Sequence, residues 1–217
     1  MVMTQYIISA LRQHFHIDNS PITRDDSRIE EIYSDGSVDI IGNVRMIRSA
    51  SGDIPVEFNI VQGYFQAQNM NLNSLKNSPI QCNSLFVSNN NLENFNHLPS
   101  GIVNLDISNN KFKNFQGLKT EFLTRLDAFG NPLESLEGLP NSPPEVPLGI
   151  GITYSKNLPL LRLLVATDID ILDPQMITKR FEPVQRILRK YAGQGKRAMF
   201  DCQKDLEDAG FSENARW

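Results

Sequence analysis

The sequence predicts an α/β solenoid: a short repeat array on one parallel sheet, with an N-terminal helical element and a C-terminal helical cap. Two observations carry this. First, four stretches repeat one apolar pattern at spacings of 20, 20 and 21 residues. They are Phe65-x-Ala67-x-x-Met70-x-Leu72-x-x-Leu75, Leu85-x-Val87-x-x-Asn90-x-Leu92-x-x-Phe95, Leu105-x-Ile107-x-x-Asn110-x-Phe112-x-x-Phe115 and Leu126-x-Ala128-x-x-Asn131-x-Leu133-x-x-Leu136. Second, the repeat stops after Leu158, and apolar residues take up helical spacing. The 217 residues, 40% hydrophobic with mean hydropathy −0.31, suit a soluble globular chain of one elongated domain with caps.

The elements follow in order. Residues 3–17 place Tyr6, Ile7, Ala10, Leu11, His14 and Phe15 on one helical stripe, with Thr4 as N-cap. A polar segment, 18–27, follows, and Asp35-Gly36 marks a turn. Val38-x-Ile40 and Val44-x-Met46 alternate as strands do. Val44 lies 21 residues before Phe65 and fits the repeat phase as a degenerate first turn. Val38–Ile40 begins a covering hairpin, and Ile54, Val56 and Phe58 belong to the return of that turn. The domain division is therefore 1–43 for the N-terminal helix and capping strand, 44–155 for the array and 156–217 for the cap.

In each repeat a short strand buries two apolar residues, and the chain then bends at the Asn position. Backbone groups leaving the strand there need new partners. An Asn amide both donates and accepts, so Asn90, Asn110 and Asn131 are expected to bridge successive turns as a structural ladder that ends at Met70. Return segments rich in Pro and Gly suit an extended backbone without helices. An insertion at 141–147 delays the last strand, expected at Ile150–Tyr154 with Ile152 and Tyr154 inward. Beyond it, Asp168–Leu172 reads as a short strand or a loop, and Asp173-Pro174 as a helix start. That helix takes in Ile177, Phe181, Val184, Ile187, Leu188 and Tyr191, is kinked or split by Pro183, and ends at Gly193 and Gly195. A final helix from about Lys196 turns Met199, Cys202 and Leu206 inward and ends at Gly210.

The array resembles bacterial-type leucine-rich repeats of about 20 residues. The wider chain resembles the leucine-rich-repeat proteins encoded by tailed bacteriophages. That resemblance rests on DGSVDIIGNVRM followed by IPVEFNIVQGYF, and on LPLLRLL before KYAGQGKRAMFDCQKDLEDAGFSENARW. It implies a virus-encoded protein acting in the cytoplasm of a bacterial cell, and it implies no particular reaction.

Charge and motifs narrow the function further. Residues 1–155 carry 10 Lys and Arg against 16 Asp and Glu, a net −6, while 156–217 carry 11 against 9, a net +2. An acidic array repels a phosphate backbone, so nucleic acid is not an expected partner. Two cysteines, Cys82 and Cys202, make no disulfide framework and fit a reducing compartment. The start lacks the basic and apolar regions of a secretory signal, and the longest apolar run, Leu158–Ala166, includes Arg162, so no membrane association is expected. His14 and His16 face different sides of a helix, so no metal is expected there. Cys202 in FDCQKD invites comparison with bacterial effector ubiquitin ligases, but the tail is too short for their catalytic domain and the thiol falls on an apolar stripe. Gly193-x-Gly195-Lys196 lacks the Walker spacing. Asp168, Asp170 and Asp173 lack a calcium-loop pattern and read as solvated loop carboxylates.

No catalytic residue and no cofactor are expected. What remains is the set of strand residues pointing away from the core: Arg45, Tyr64, Gln66, Phe86, Asp106, Arg125, Asp127 and Phe129. Exposed aromatics on a rigid sheet resemble interface anchors. The expected function is non-catalytic binding of a protein, in the phage setting a host bacterial protein such as a defence component, by this concave face. The alternatives are a small nucleotide-binding or enzymatic protein acting through the cap, and a virion assembly protein.

Overall fold

The computed structural model describes residues 2–17, 28–49, 51–119, 121–140, 147–173 and 176–217. The polar segment 18–27 and nearly all of the 141–147 insertion lie outside them. The chain forms two compact units, Met1–Asp106 and Ile107–Trp217, each built of parallel β-coils. Counted over both, this is a parallel-sheet solenoid of about six turns with few helices.

In the first unit, α1 (Val2–His14) buries Ile7, Ala10 and Leu11. It ends three residues before the expected boundary. Phe15–Ile17 instead forms β1, antiparallel to β4 (Val44–Met46). Phe15 leaves the helix because its ring is buried against Phe58 and Phe65, at centroid distances of 5.1 and 6.4 Å. Tyr6, expected on the inner stripe, is 70% exposed: one residue is a 100° step, which carries it past the buried edge at Ile7. A hairpin joins β2 (Arg28–Ile32) to β3 (Val38–Ile41), and its turn is fixed by Ser37 N–H and Oγ donating to Asp35 Oδ1. β2 was not expected, since RIEEI has no clean alternation and no residue of it is fully buried.

The long strand β5 (Phe58–Gln66) accepts both earlier strands on one edge. Val38 and Ile40 of β3 pair with Phe58 and Val61, and Val44 of β4 pairs with Phe65. The 21-residue phase assigned to Val44 is therefore the register seen. Phe58, expected on the return, is the first residue of the strand. β6 (Gln81–Phe86) and β7 (Asn104–Asp106) continue in parallel, Phe65 opposite Leu85 and Leu85 opposite Leu105.

In the second unit, β8 (Arg125–Ala128), β9 (Gly149–Thr153) and β10 (Asp168–Asp173) run parallel, with Leu126 opposite Ile150 and Ile150 opposite Ile169. β11 (Met176–Arg180) turns back antiparallel to β10. The sheet thus continues past the strand expected to be its last. Ile169 and Ile171 explain why, because alternation lets both enter the core column beside Ile150 and Ile152. Tyr154 turns its hydroxyl to the buried Asn214, donating to Oδ1 at 3.0 Å. It is half-buried, and its ring stacks on Phe181 with centroids 4.3 Å apart.

The helix expected from Asp173-Pro174 begins later, as α2 (Glu182–Tyr191). Asp173 closes β10, Pro174 lies outside the described residues, and Ile177 is in β11. Pro183 does not kink the helix. It sits in the first turn, where its missing N–H is not needed. α3 (Met199–Asp208) follows a 3-10 turn, Gly195–Ala198, and buries Cys202 and Leu206 as expected. Residues 156–217 are therefore mixed, with strands and a further 3-10 turn, Leu161–Val165, beside the two helices. No helix among the described residues is long and apolar enough to cross a membrane.

Candidate functional site: the outward strand faces

The repeat places its side chains in three layers. Phe65, Leu85, Leu105 and Leu126, with Ala67, Val87, Ile107 and Ala128 two residues on, all point into the core and are buried. At the bend that follows, the asparagine amides reach into the neighbouring coil. Asn90 Oδ1 accepts from the N–H groups of Met70 and Leu72, each at 3.0 Å. Its Nδ2 donates to the carbonyls of Ala67 and Val87, at 2.7 and 2.9 Å. In the second unit, Asn131 accepts from Phe112 N–H at 3.1 Å and donates to Ile107 and Ala128 carbonyls at 3.0 and 3.1 Å. Asn110 donates to the carbonyl of Ile107 at 2.9 Å. These bonds run from amide to backbone, so Asn90 and Asn131 each fasten their coil to a neighbouring one with one buried side chain.

A second mark of the bend lies beside this column. The residues before Met70, Asn90, Asn110 and Asn131 are Asn69, Asn89, Asn109 and Gly130, and all have positive φ, at 60, 58, 54 and 68°. Asn and Gly are the residues that tolerate this left-handed backbone. The doubled Asn marks the bend as clearly as the ladder position does.

The outward face of the first unit is polar with one aromatic pair. Tyr64 and Phe86 meet edge to face, with centroids 5.9 Å apart. Arg45 Nε donates to Gln66 Oε1 at 3.1 Å, Gln66 Nε2 to Gln68 Oε1 at 2.5 Å, and Gln68 Nε2 to Ser88 Oγ at 2.6 Å and Asp106 Oδ2 at 3.3 Å. Five of the expected residues therefore lie on one continuous surface, held by their own hydrogen bonds and rings.

The second unit carries the other three. β9 reads Gly149-Ile-Gly-Ile-Thr, so its isoleucines point inward and its two glycines outward. This leaves a trough filled by Arg125 of β8 and by Phe129, in the turn just after it. A Cβ at Gly149 would lie 3.2 Å from Arg125 Nη1, and one at Gly151 would overlap the Phe129 ring. Phe129 thus lies across the sheet, half-exposed. It forms one wall of an apolar cavity of about 400 Å³ with Ser108, Asn109, Gly130, Thr153, Leu172 and Asp173. Gly130 N–H donates to Thr153 Oγ1 at 2.7 Å, which fixes the cavity's rim. The outward glycines are legible as alternation, but their meaning depends on the neighbouring strand.

Beside the cavity lies a charge lattice. Arg125 pairs with Asp127 at 2.6 Å, with Asp170 Oδ2 3.8 Å away, and Arg189 pairs with Asp170 at 2.8 Å and Asp168 at 3.4 Å. Hydrogen bonding to Asp127 raises the Arg125 pKa above its ordinary value. Asp168 and Asp170, expected as solvated loop carboxylates, are instead strand residues tied to arginines of other elements.

The remaining candidates form no constellation. Gly193 and Gly195 form the turn after α2, with φ of 74 and 55°. Among the described residues no group of three or more His, Cys, Asp or Glu could hold a metal ion. Burial pushes the thiols of Cys82 and Cys202 up to about 12. At about pH 8 the thiolate is then roughly one part in ten thousand, and a thiol reagent should label neither cysteine in the folded protein. Both should react at once on adding denaturant. Rapid labelling of Cys202 without denaturant would contradict its burial in α3.

Comparison of the chain with protein-family models, with curated proteins and with solved structures finds no match.

Proposed function

We propose that this protein is a non-catalytic protein-binding module: a short leucine-rich-repeat protein with a C-terminal cap, encoded by a tailed phage and acting in the bacterial cytoplasm. There it binds a host protein, such as a defence component, and inhibits or redirects it. The observation that carries this reading is the Phe129 cavity. It is apolar, open on the outward strand face, and of the volume that receives one large side chain or a small cluster. Binding hot spots have this form: an apolar socket beside rim charges that orient the partner. Arg125 and Asp127 are such rim charges in the second unit, and Arg45 and Asp106 are their counterparts in the first. Tyr64 and Phe86 supply a second aromatic anchor, and Gln66 links it to Arg45. The phage and host assignments rest on the sequence resemblance.

Affinity purification from an expressing bacterial cell tests this directly. One host protein should be retained in stoichiometric amount, and Phe129→Ala should lower its recovery about tenfold. Purified protein that carries bound nucleotide, or that is found in virus particles, would favour the enzymatic or assembly alternatives instead.

A further inference from the structure

Away from its strands the second unit holds another cavity, of about 310 Å³, lined by Ser135, Leu136, Glu137, Pro159, Arg162 and Trp217. Arg162 is carried on the 3-10 turn Leu161–Val165, whose Leu161, Leu163 and Leu164 are buried and anchor it. Its Nε is shut off from solvent and meets no hydrogen-bond acceptor among the described residues. None of the ion pairs among the described residues includes it. A guanidinium does not lose its proton, so this charge stands in the cavity wall without a counter-ion from those residues.

The other walls say what would complement it. The indole of Trp217 is 37% exposed and has Lys196 Nζ 5.8 Å above its ring centroid. Ser135 Oγ accepts the Glu137 N–H at 3.2 Å, which leaves its own proton to donate. The cavity therefore offers a guanidinium, a hydroxyl donor and an aromatic face. Glu137, also on the wall, repels a second negative charge. The volume is at the lower end for ligand pockets.

We propose that this cavity binds a small aromatic monocarboxylate, its carboxylate on Arg162 and its ring against Trp217. Polyphosphates such as ATP are disfavoured by the cavity's volume, which is at the lower end for ligand pockets. This site is separate from the protein-binding face and stands or falls without it.

Trp217 is the single tryptophan of the chain and lines this cavity, so indole fluorescence reports on the cavity wall. Phenylacetate should change the emission saturably. Its neutral analogue 2-phenylethanol, which keeps the ring and loses the carboxylate, should bind at least about tenfold more weakly, as should ATP. Arg162→Met should lose phenylacetate binding by a similar factor, while Arg197→Met, with the same change in charge, should not. No saturable response to phenylacetate overturns the proposal. So does equal binding of acid and alcohol to the wild-type protein, a comparison that needs no variant to fold.

Discussion

Replacing Asn90 by Ala should destabilise the first unit by about 3 kcal/mol, near the upper end for one side chain that leaves buried polar groups unpaired. The amide now satisfies two N–H donors and two carbonyls of a bend where the chain has left the strand pairing. Leu72, one of those donors, is fully buried, so water cannot take the amide's place. At roughly 2–4 °C per kcal/mol for a chain of this size, the thermal midpoint should fall by roughly 6–12 °C. Circular dichroism melts check this. Asn90→Asp should be no milder than Asn90→Ala, because it keeps the acceptor but turns a carboxylate oxygen onto the carbonyls of Ala67 and Val87. A midpoint within about 2 °C of wild type would show that the amide bonds are replaceable.

Gly138→Ala should cost at least about 3 kcal/mol, for two reasons that can be separated. Gly138 has φ of +85°, where a Cβ is strained, and that Cβ would also overlap the backbone carbonyl of Phe115. A carbonyl in the neighbouring coil cannot rotate away as a side chain can. Gly210 has nearly the same φ, +86°, with nothing within 4 Å of the added atom. Gly210→Ala should therefore show the conformational strain alone, roughly 1–2 kcal/mol. The difference between the two denaturation midpoints measures how tightly the coils are stacked. Equal losses would mean that the second unit relaxes to accept the methyl group.

The parts of the fold that rest on local pattern are legible in the sequence. The spacing from Phe65 to Leu105 matches the register of the first unit, and the same phase puts Val44 opposite Phe65 although only two apolar residues mark that turn. The parts that depend on distant partners are not. Phe15–Ile17 continues a helical stripe in sequence and becomes a strand only because Val44–Met46 offers an edge. Asp173-Pro174 is a sound helix start by local rules, yet β10 extends through Asp173 because Ile169 and Ile171 pack beside β9. The same limit applied to the site. Phe129 was recognisable as an outward aromatic, whereas its cavity required Gly151 of the next coil to be bare. Asp168 and Asp170 looked solvated because Arg125 and Arg189 are remote in sequence.

The most direct test of the protein-binding reading is the affinity of the captured host protein for wild type and for the double variant Phe86→Ala, Phe129→Ala. Both rings are half-exposed, Phe86 on an outward position of β6 and Phe129 in the turn just after β8, so the double variant should keep the circular dichroism spectrum and a cooperative melt. If they are the anchors, the dissociation constant should rise by about a hundredfold or more, two hot-spot losses of at least about 1.4 kcal/mol each. A folded double variant that binds within about threefold of wild type would contradict the claim that the outward strand faces hold the partner.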